Sequence, residues 1–167
     1  LVLDPVMIAK GGAPLLQSDA IAALKRELLP RATLITPNLP EAEQLAGIRI
    51  SDDADIARAA HILHQQGAHA VLIKGGHGQG DSCRDWLIHD GGTLTLDAPR
   101  HATPHTHGTG CTFSACLTAE LAKGESVEAA IRTAKQCITA AISQPINIGH
   151  GHGPVNHWAM RAAVSYT

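Results

Sequence analysis

Three short runs, the apolar Leu1-Val2-Leu3 and Val71-Leu72-Ile73 and the β-branched-rich Thr33-Leu34-Ile35, each stop at a polar residue, and stretches of helical periodicity separate them. This alternation constrains the fold more than anything else in the chain. Continuous apolar runs of this length suit strands buried on both faces, and strands joined through helices must run parallel. The helical stretches carry their own punctuation. Ser18 is expected to cap a helix with Ile21, Leu24 and Leu28 on one face, ended by Pro30. Pro40 suits the first turn of a second helix and Gly47 its end. Residues 51–67 read as a third, closed by Gly67.

Beyond the third strand, at 69–76, the pattern changes. "DWLIHDGGTLTL" (85–96) places Asp-Gly-Gly between two strand-like arms, a strong hairpin signal. Two longer helices follow. One covers 109–123 with Phe113, Cys116, Leu117 and Leu121 on a face. The other covers 126–143 with Val127, Ile131, Ala134, Ile138 and Ile142 repeating. "NIGHGHGPVNH" after them reads as an irregular surface loop. The expectation is an α/β fold with a mostly parallel sheet covered on both faces and one antiparallel hairpin.

Composition excludes several classes of function. The 167 residues carry a formal net charge of −2 with only 2% aromatics, so neither a basic patch nor a stacking platform exists for nucleic acid. No run of eighteen apolar residues is present to span a membrane. Four cysteines lack the spacing of a disulfide framework, which argues for reduced thiols and a cytoplasmic setting. A buried strand at the first residues is expected of the C-terminal portion of one longer domain, here residues 1–167.

In open α/β sheets, functional residues gather beyond the carboxyl ends of the strands. Asp4, Thr36, Asn38 and Lys74 all follow predicted strands. "THGTGCTFSA" (106–115) adds a glycine loop, Gly108-Thr109-Gly110, that opens a helix and bares backbone N–H groups toward an anion. Acids, a lysine and an anion cradle are the parts of a phosphoryl transfer. Each has a plainer reading alone. A strand-end Asp can cap a turn, Glu41 can answer a helix dipole, Lys74 can be solvated, and Gly-x-Gly by itself is a weak signal. Cys111 stands in the first helical turn, where the dipole favours thiolate, whereas Cys116 and Cys137 sit on apolar faces as packing residues. His101, His105, His107, His150 and His152 lack the paired spacing of a zinc site.

"DPVM", "LITPNLPEAEQLAG", "VLIKGGHG", "DWL" and "THGTGCTFSA" resemble the hydroxymethylpyrimidine and phosphomethylpyrimidine kinases of thiamine biosynthesis, of the ribokinase-like superfamily. The resemblance runs to about residue 158 and includes "GPVNHW". Most ribokinase-like enzymes carry Asp where this chain has Cys111. The resemblance implies a three-layer αβα sandwich whose N-terminal part is missing here, and ATP with Mg²⁺ as cofactors. Cys111 would be the general base, and the N–H groups of Gly108, Thr109, Gly110 and Cys111 the anion hole. Asp4 and the Asn38/Glu41 pair would hold Mg²⁺, largely through water. Lys74, with Thr36, Asn38 and Gly76, would serve the nucleotide, and Val6 would wall the pyrimidine. Relatives are often homodimers. A pyridoxal kinase with the same loop, and a non-catalytic pyrimidine-binding domain, are the alternatives.

Overall fold

A computed structural model describes residues 1–8, 13–75, 81–148 and 150–163. The chain divides into two compact units, Leu1–Asp97 and Ala98–Thr167. The first holds the three expected strands, β1 (Val2–Leu3), β2 (Leu34–Ile35) and β3 (Ala70–Ile73). They pair in parallel, with Val2 opposite Leu34, Leu3 opposite Ile35, and Ile35 opposite Val71. The hairpin strands β4 (Ser82–His89) and β5 (Gly92–Pro99) complete a mixed sheet in the order β1-β2-β3-β4-β5. β4 runs antiparallel to β3, with Ile73 opposite Trp86. All four residues of β3 are buried, which accounts for its unbroken apolar run.

Helices α1 (Ser18–Ala23), α2 (Leu39–Ala46) and α3 (Asp53–Gln65) belong to the same unit. Ile56, Ala59, Ala60 and Leu63 of α3 share a core with Ala42 and Leu45 of α2 and with Leu3, Ile35, Val71 and Ile73 of the sheet. Aromatics are almost absent from it, so small alanines on α3 bring the helix close to the strands. Gly47 ends α2 in the left-handed region at φ 71°, as its position in sequence implied.

One helix departs from expectation. Ser18 does not cap α1; Gln17 occupies that position, and the Asp19 carboxylate accepts the Ala20 N–H at 2.8 Å instead. The helix also widens to a π turn over Leu24–Leu28 and tightens to a 3-10 turn over Leu29–Arg31. Pro30 lacks an N–H and its ring crowds the preceding turn, so the regular ladder fails there.

In the second unit, α4 (Thr109–Ala122) and α5 (Val127–Ser143) are followed by a 3-10 turn, His157–Ala159, and by α6 (Met160–Ala163). The Ser126 hydroxyl caps α5 by accepting from the Ala129 N–H. Ala130, Ile131, Ala134, Cys137, Ile138 and Ala141 form its buried face. The described part of the tail is irregular and mostly exposed, as expected of a surface loop, but Gly153 and Val155 are buried and Pro154 forms a parallel bridge with His107. Among the described residues, no helix is long and apolar enough to cross a membrane.

Candidate functional site

In the first unit, the strand ends bring three of the expected residues into contact. The Lys74 ammonium lies 3.0 Å from Asp4 Oδ1, and the Thr36 hydroxyl donates to the same oxygen at 3.3 Å. Parallel pairing makes this inevitable, because each of these residues lies just beyond the end of β1, β2 or β3. The pairing continues past β2, where Asn38 bridges Lys74 and the Lys74 N–H donates to the Pro37 carbonyl at 2.8 Å. Thr36 is fully buried, while the side chains of Asp4 and Lys74 keep limited access to solvent. Asp4 Oδ2 meets no donor among the described residues.

The next residue shows why the strand cannot carry a side chain there. A Cβ on Gly75 would run into the Arg84 carbonyl oxygen and the Trp86 ring. The Gly75 N–H donates to the buried Asp85 carboxylate at 2.9 Å, which anchors the chain leaving Lys74. Gly76 lies outside the described residues.

Asn38 and Glu41 form a capping box at the start of α2. Asn38 Oδ1 accepts the Glu41 N–H and Glu41 Oε2 accepts the Asn38 N–H, both at 2.9 Å. Glu41 Oε1 also accepts the Met7 N–H at 3.2 Å, from a residue 34 positions earlier. Glu41 is 3% exposed, so its carboxylate is spent largely on backbone amides. The clip explains a neighbouring anomaly. Val6 adopts φ 31°, a conformation that a β-branched residue avoids, and its side chain stands exposed. Holding Met7 down forces the chain to turn sharply at Val6 and presents that side chain to solvent.

Glu41→Gln is therefore expected to cost about 1–3 kcal/mol in urea unfolding, because an amide cannot accept both N–H groups through two oxygens. Unchanged stability would show that the clip contributes nothing to the fold.

The donor set suits Mg²⁺ in one particular manner. Among the described residues no three His, Cys, Asp or Glu side chains gather as a metal cage. A hard cation that retains most of its water and takes one or two carboxylates would need only the second oxygen of Asp4.

In the second unit, Gly108 takes φ 84° and turns the chain into α4, which has no side-chain cap. The Thr109 N–H and hydroxyl both donate to the Thr106 carbonyl, and the Thr112 N–H donates to the Gly108 carbonyl at 2.9 Å. That leaves the N–H groups of Gly110 and Cys111 without a protein acceptor among the described residues. Of the four donors expected from the glycine loop, that of Thr109 is therefore taken, and those of Gly110 and Cys111 stay open. Cys111 is exposed, third in the helix, beside these donors. A largely apolar cavity of about 700 Å³ opens next to it, lined in part by Thr112, Cys116, Thr133, His157 and Met160.

The other helix cysteines differ from it. Burial, together with the nearby Cys137 thiol, pushes the Cys116 thiol up to about 11, and burial also raises Cys137. Both remain protonated thiols at neutral pH, consistent with packing roles. Sequence reasoning missed the tail: nothing in its spacing tied "GPVNH" to the glycine loop more than forty residues earlier.

The family model for phosphomethylpyrimidine kinase matches residues 1–156. A hydroxymethylpyrimidine/phosphomethylpyrimidine kinase of Haemophilus influenzae is 66% identical over 163 residues, covering 95% of this chain and 61% of that protein. The pyridoxal kinase of Bacillus subtilis, solved as an ADP complex, superposes with a TM-score of 0.87 at 43% identity, covering 96% of this chain and 61% of the other. The Staphylococcus aureus pyridoxal kinase, solved with AMP-PCP and pyridoxal, gives 0.87 at 36% identity, with 96% and 58% covered. The chain thus spans about three fifths of the length of the curated relatives it matches.

Proposed function

Since this chain belongs to the phosphomethylpyrimidine kinase family, we propose that it takes part in ATP-dependent phosphorylation of 4-amino-5-hydroxymethyl-2-methylpyrimidine and then of its monophosphate. The observation that carries this reading is the exposed Cys111 at an uncapped helix start, beside two unanswered backbone N–H groups. Uncapped N–H groups at a helix start are open to water or to an anion. A transferring phosphoryl group supplies the acceptors they lack.

The roles divide by chemistry. Cys111 Sγ takes the proton of the substrate hydroxymethyl group. The freed oxygen bonds to the γ-phosphorus of ATP while the bond from that phosphorus to the β-phosphate bridging oxygen breaks, and ADP leaves with the electron pair. The N–H groups of Gly110 and Cys111, with that of Gly108, hold the phosphoryl oxygens while charge shifts; the Thr109 N–H, expected among them, is taken by the Thr106 carbonyl. The second phosphorylation has a phosphate acceptor and needs no base. Lys74, positioned by Asp4, neutralises ATP phosphate charge, with Asn38 and Gly76 along the nucleotide; Thr36, expected beside them, is fully buried and supports Asp4 instead. Val6, turned outward by the Glu41 clip, packs on the pyrimidine face.

Mg²⁺, when bound, shields the phosphate charges; Asp4 would hold it, and Glu41 would act through water. The same reading includes a homodimer and a cytoplasmic setting. Pyridoxal is the second candidate substrate, favoured by the two pyridoxal kinases of similar structure. Both compounds are flat heteroaromatic alcohols, so the test is a direct comparison. The full-length protein is expected to phosphorylate the pyrimidine with the higher kcat/KM. A higher value for pyridoxal would reverse the substrate assignment, and turnover of neither would end the kinase reading.

A further inference from the structure

The glycine loop is held from both ends by the chain's tail. On its near side, the His107 N–H donates to the Gly153 carbonyl and the Val155 N–H donates to the His107 carbonyl, both at 3.1 Å. His107 immediately precedes the left-handed Gly108, the point at which a small rotation would swing the following amides. On its far side, Thr112 is the residue just past Gly110 and Cys111. Its hydroxyl lies 3.0 Å from Nε2 of His157.

The tail itself is anchored. The Asn156 N–H donates to the Ala141 carbonyl at 3.1 Å, and its side-chain amide donates to the Gln144 carbonyl at 2.8 Å. Asn156 Oδ1 accepts the Trp158 N–H and so caps the 3-10 turn that carries His157. Gly153 fits flush against the His105 imidazole, where a Cβ would collide. One anchored segment, residues 153–157, therefore grips the loop by its backbone at 107 and by a side chain at 112.

We propose that this segment is a positioning strap for the glycine loop, and that His157 fixes the aim of the Gly110 and Cys111 amides through Thr112. The proposal rests on the kinase reading for its effect on catalysis, though not for its geometry. His157 is exposed, so truncating it opens no core, and a merely structural role would leave turnover alone. A positioning role has the opposite signature. Amides aimed at charge that develops only in the transition state act on kcat, leaving ground-state binding nearly unchanged.

The test uses the full-length protein with His157→Ala, His157→Gln and Thr112→Val. His157→Ala is expected to lower kcat about tenfold with both KM values within about twofold. His157→Gln, whose side-chain amide reaches the place of Nε2, should recover most of the loss. The double variant His157→Ala/Thr112→Val should be no slower than the slower single variant, since both remove one bond.

A second readout separates this proposal from the kinase reading. Titration with inorganic phosphate, followed by the backbone amide signals of Gly110 and Cys111, should saturate at several-fold higher phosphate in His157→Ala than in wild type. If wild type turns over neither alcohol, the kinase reading falls and this titration alone decides the strap. Wild-type behaviour of His157→Ala in the readout that applies would overturn the proposal. So would a loss that glutamine does not recover, or amides that ignore phosphate in wild type.

Discussion

Cys111→Ala is expected to lower kcat by about 10²–10³-fold, the usual worth of a positioned general base, while nucleotide affinity stays within about twofold. The asymmetry follows from where the sulfur stands. It is exposed in the first turn of α4, beside N–H groups that no side chain caps, so its removal subtracts a proton acceptor without collapsing a core. Chemical labelling gives the same residue an independent identity. Iodoacetamide at neutral pH should modify Cys111 first, because it is the exposed thiol of the four, while Cys83 and Cys116 are half-buried, Cys137 is buried, and burial raises both Cys116, to about 11, and Cys137. Inactivation should track that single modification, and bound substrate should slow it. A fully active Cys111→Ala protein would mean that the thiol does no chemistry.

Lys74→Met is the second large effect. Methionine keeps the length and most of the bulk of the side chain and removes only its charge. Steady-state kinetics should show kcat/KM for ATP falling by about 10²-fold, since a cation aimed at phosphate oxygens is worth several kcal/mol in a sheltered site. Stability should fall as well, because Asp4 keeps only the Thr36 hydroxyl at 3.3 Å once the ammonium at 3.0 Å is gone. Leaving a partly buried carboxylate short of a partner costs about 1–3 kcal/mol. Lost stability with unchanged ATP kinetics would make Lys74 a structural counter-ion to Asp4 and remove it from the nucleotide.

The strand-end residues were legible because a parallel sheet needs no fine detail to place them. Once 1–3, 33–35 and 71–73 are read as neighbouring parallel strands, Asp4, Thr36 and Lys74 have to meet. Gly47, Pro40 and the Asp90-Gly91 turn were equally readable, since each answers a backbone requirement local to its own residues. The capping role assigned to Ser18 failed for a related reason: Gln17, Ser18 and Asp19 compete within one turn, and short-range preference does not decide among adjacent polar residues.

What stayed hidden depended on long-range contacts. Glu41 read as a helix-start carboxylate, and the capping box fits that reading. Its grip on the Met7 N–H, which sets the strained turn at Val6, spans 34 residues and leaves no trace in local periodicity. The tail is the stronger case. Its glycines and histidines looked like a surface loop because turn-forming composition describes a segment with no partner of its own. Gly153 and Val155 are buried where the backbone of His107 runs alongside them and the His105 ring packs on Gly153.

The most direct measurement is transfer of label from [γ-³²P]ATP to the pyrimidine alcohol by the full-length protein, with products separated after timed quenching. Labelled monophosphate is expected first and doubly phosphorylated pyrimidine later, with one ADP formed per phosphoryl group transferred. Tight binding of the pyrimidine with neither labelled product nor ADP would contradict it.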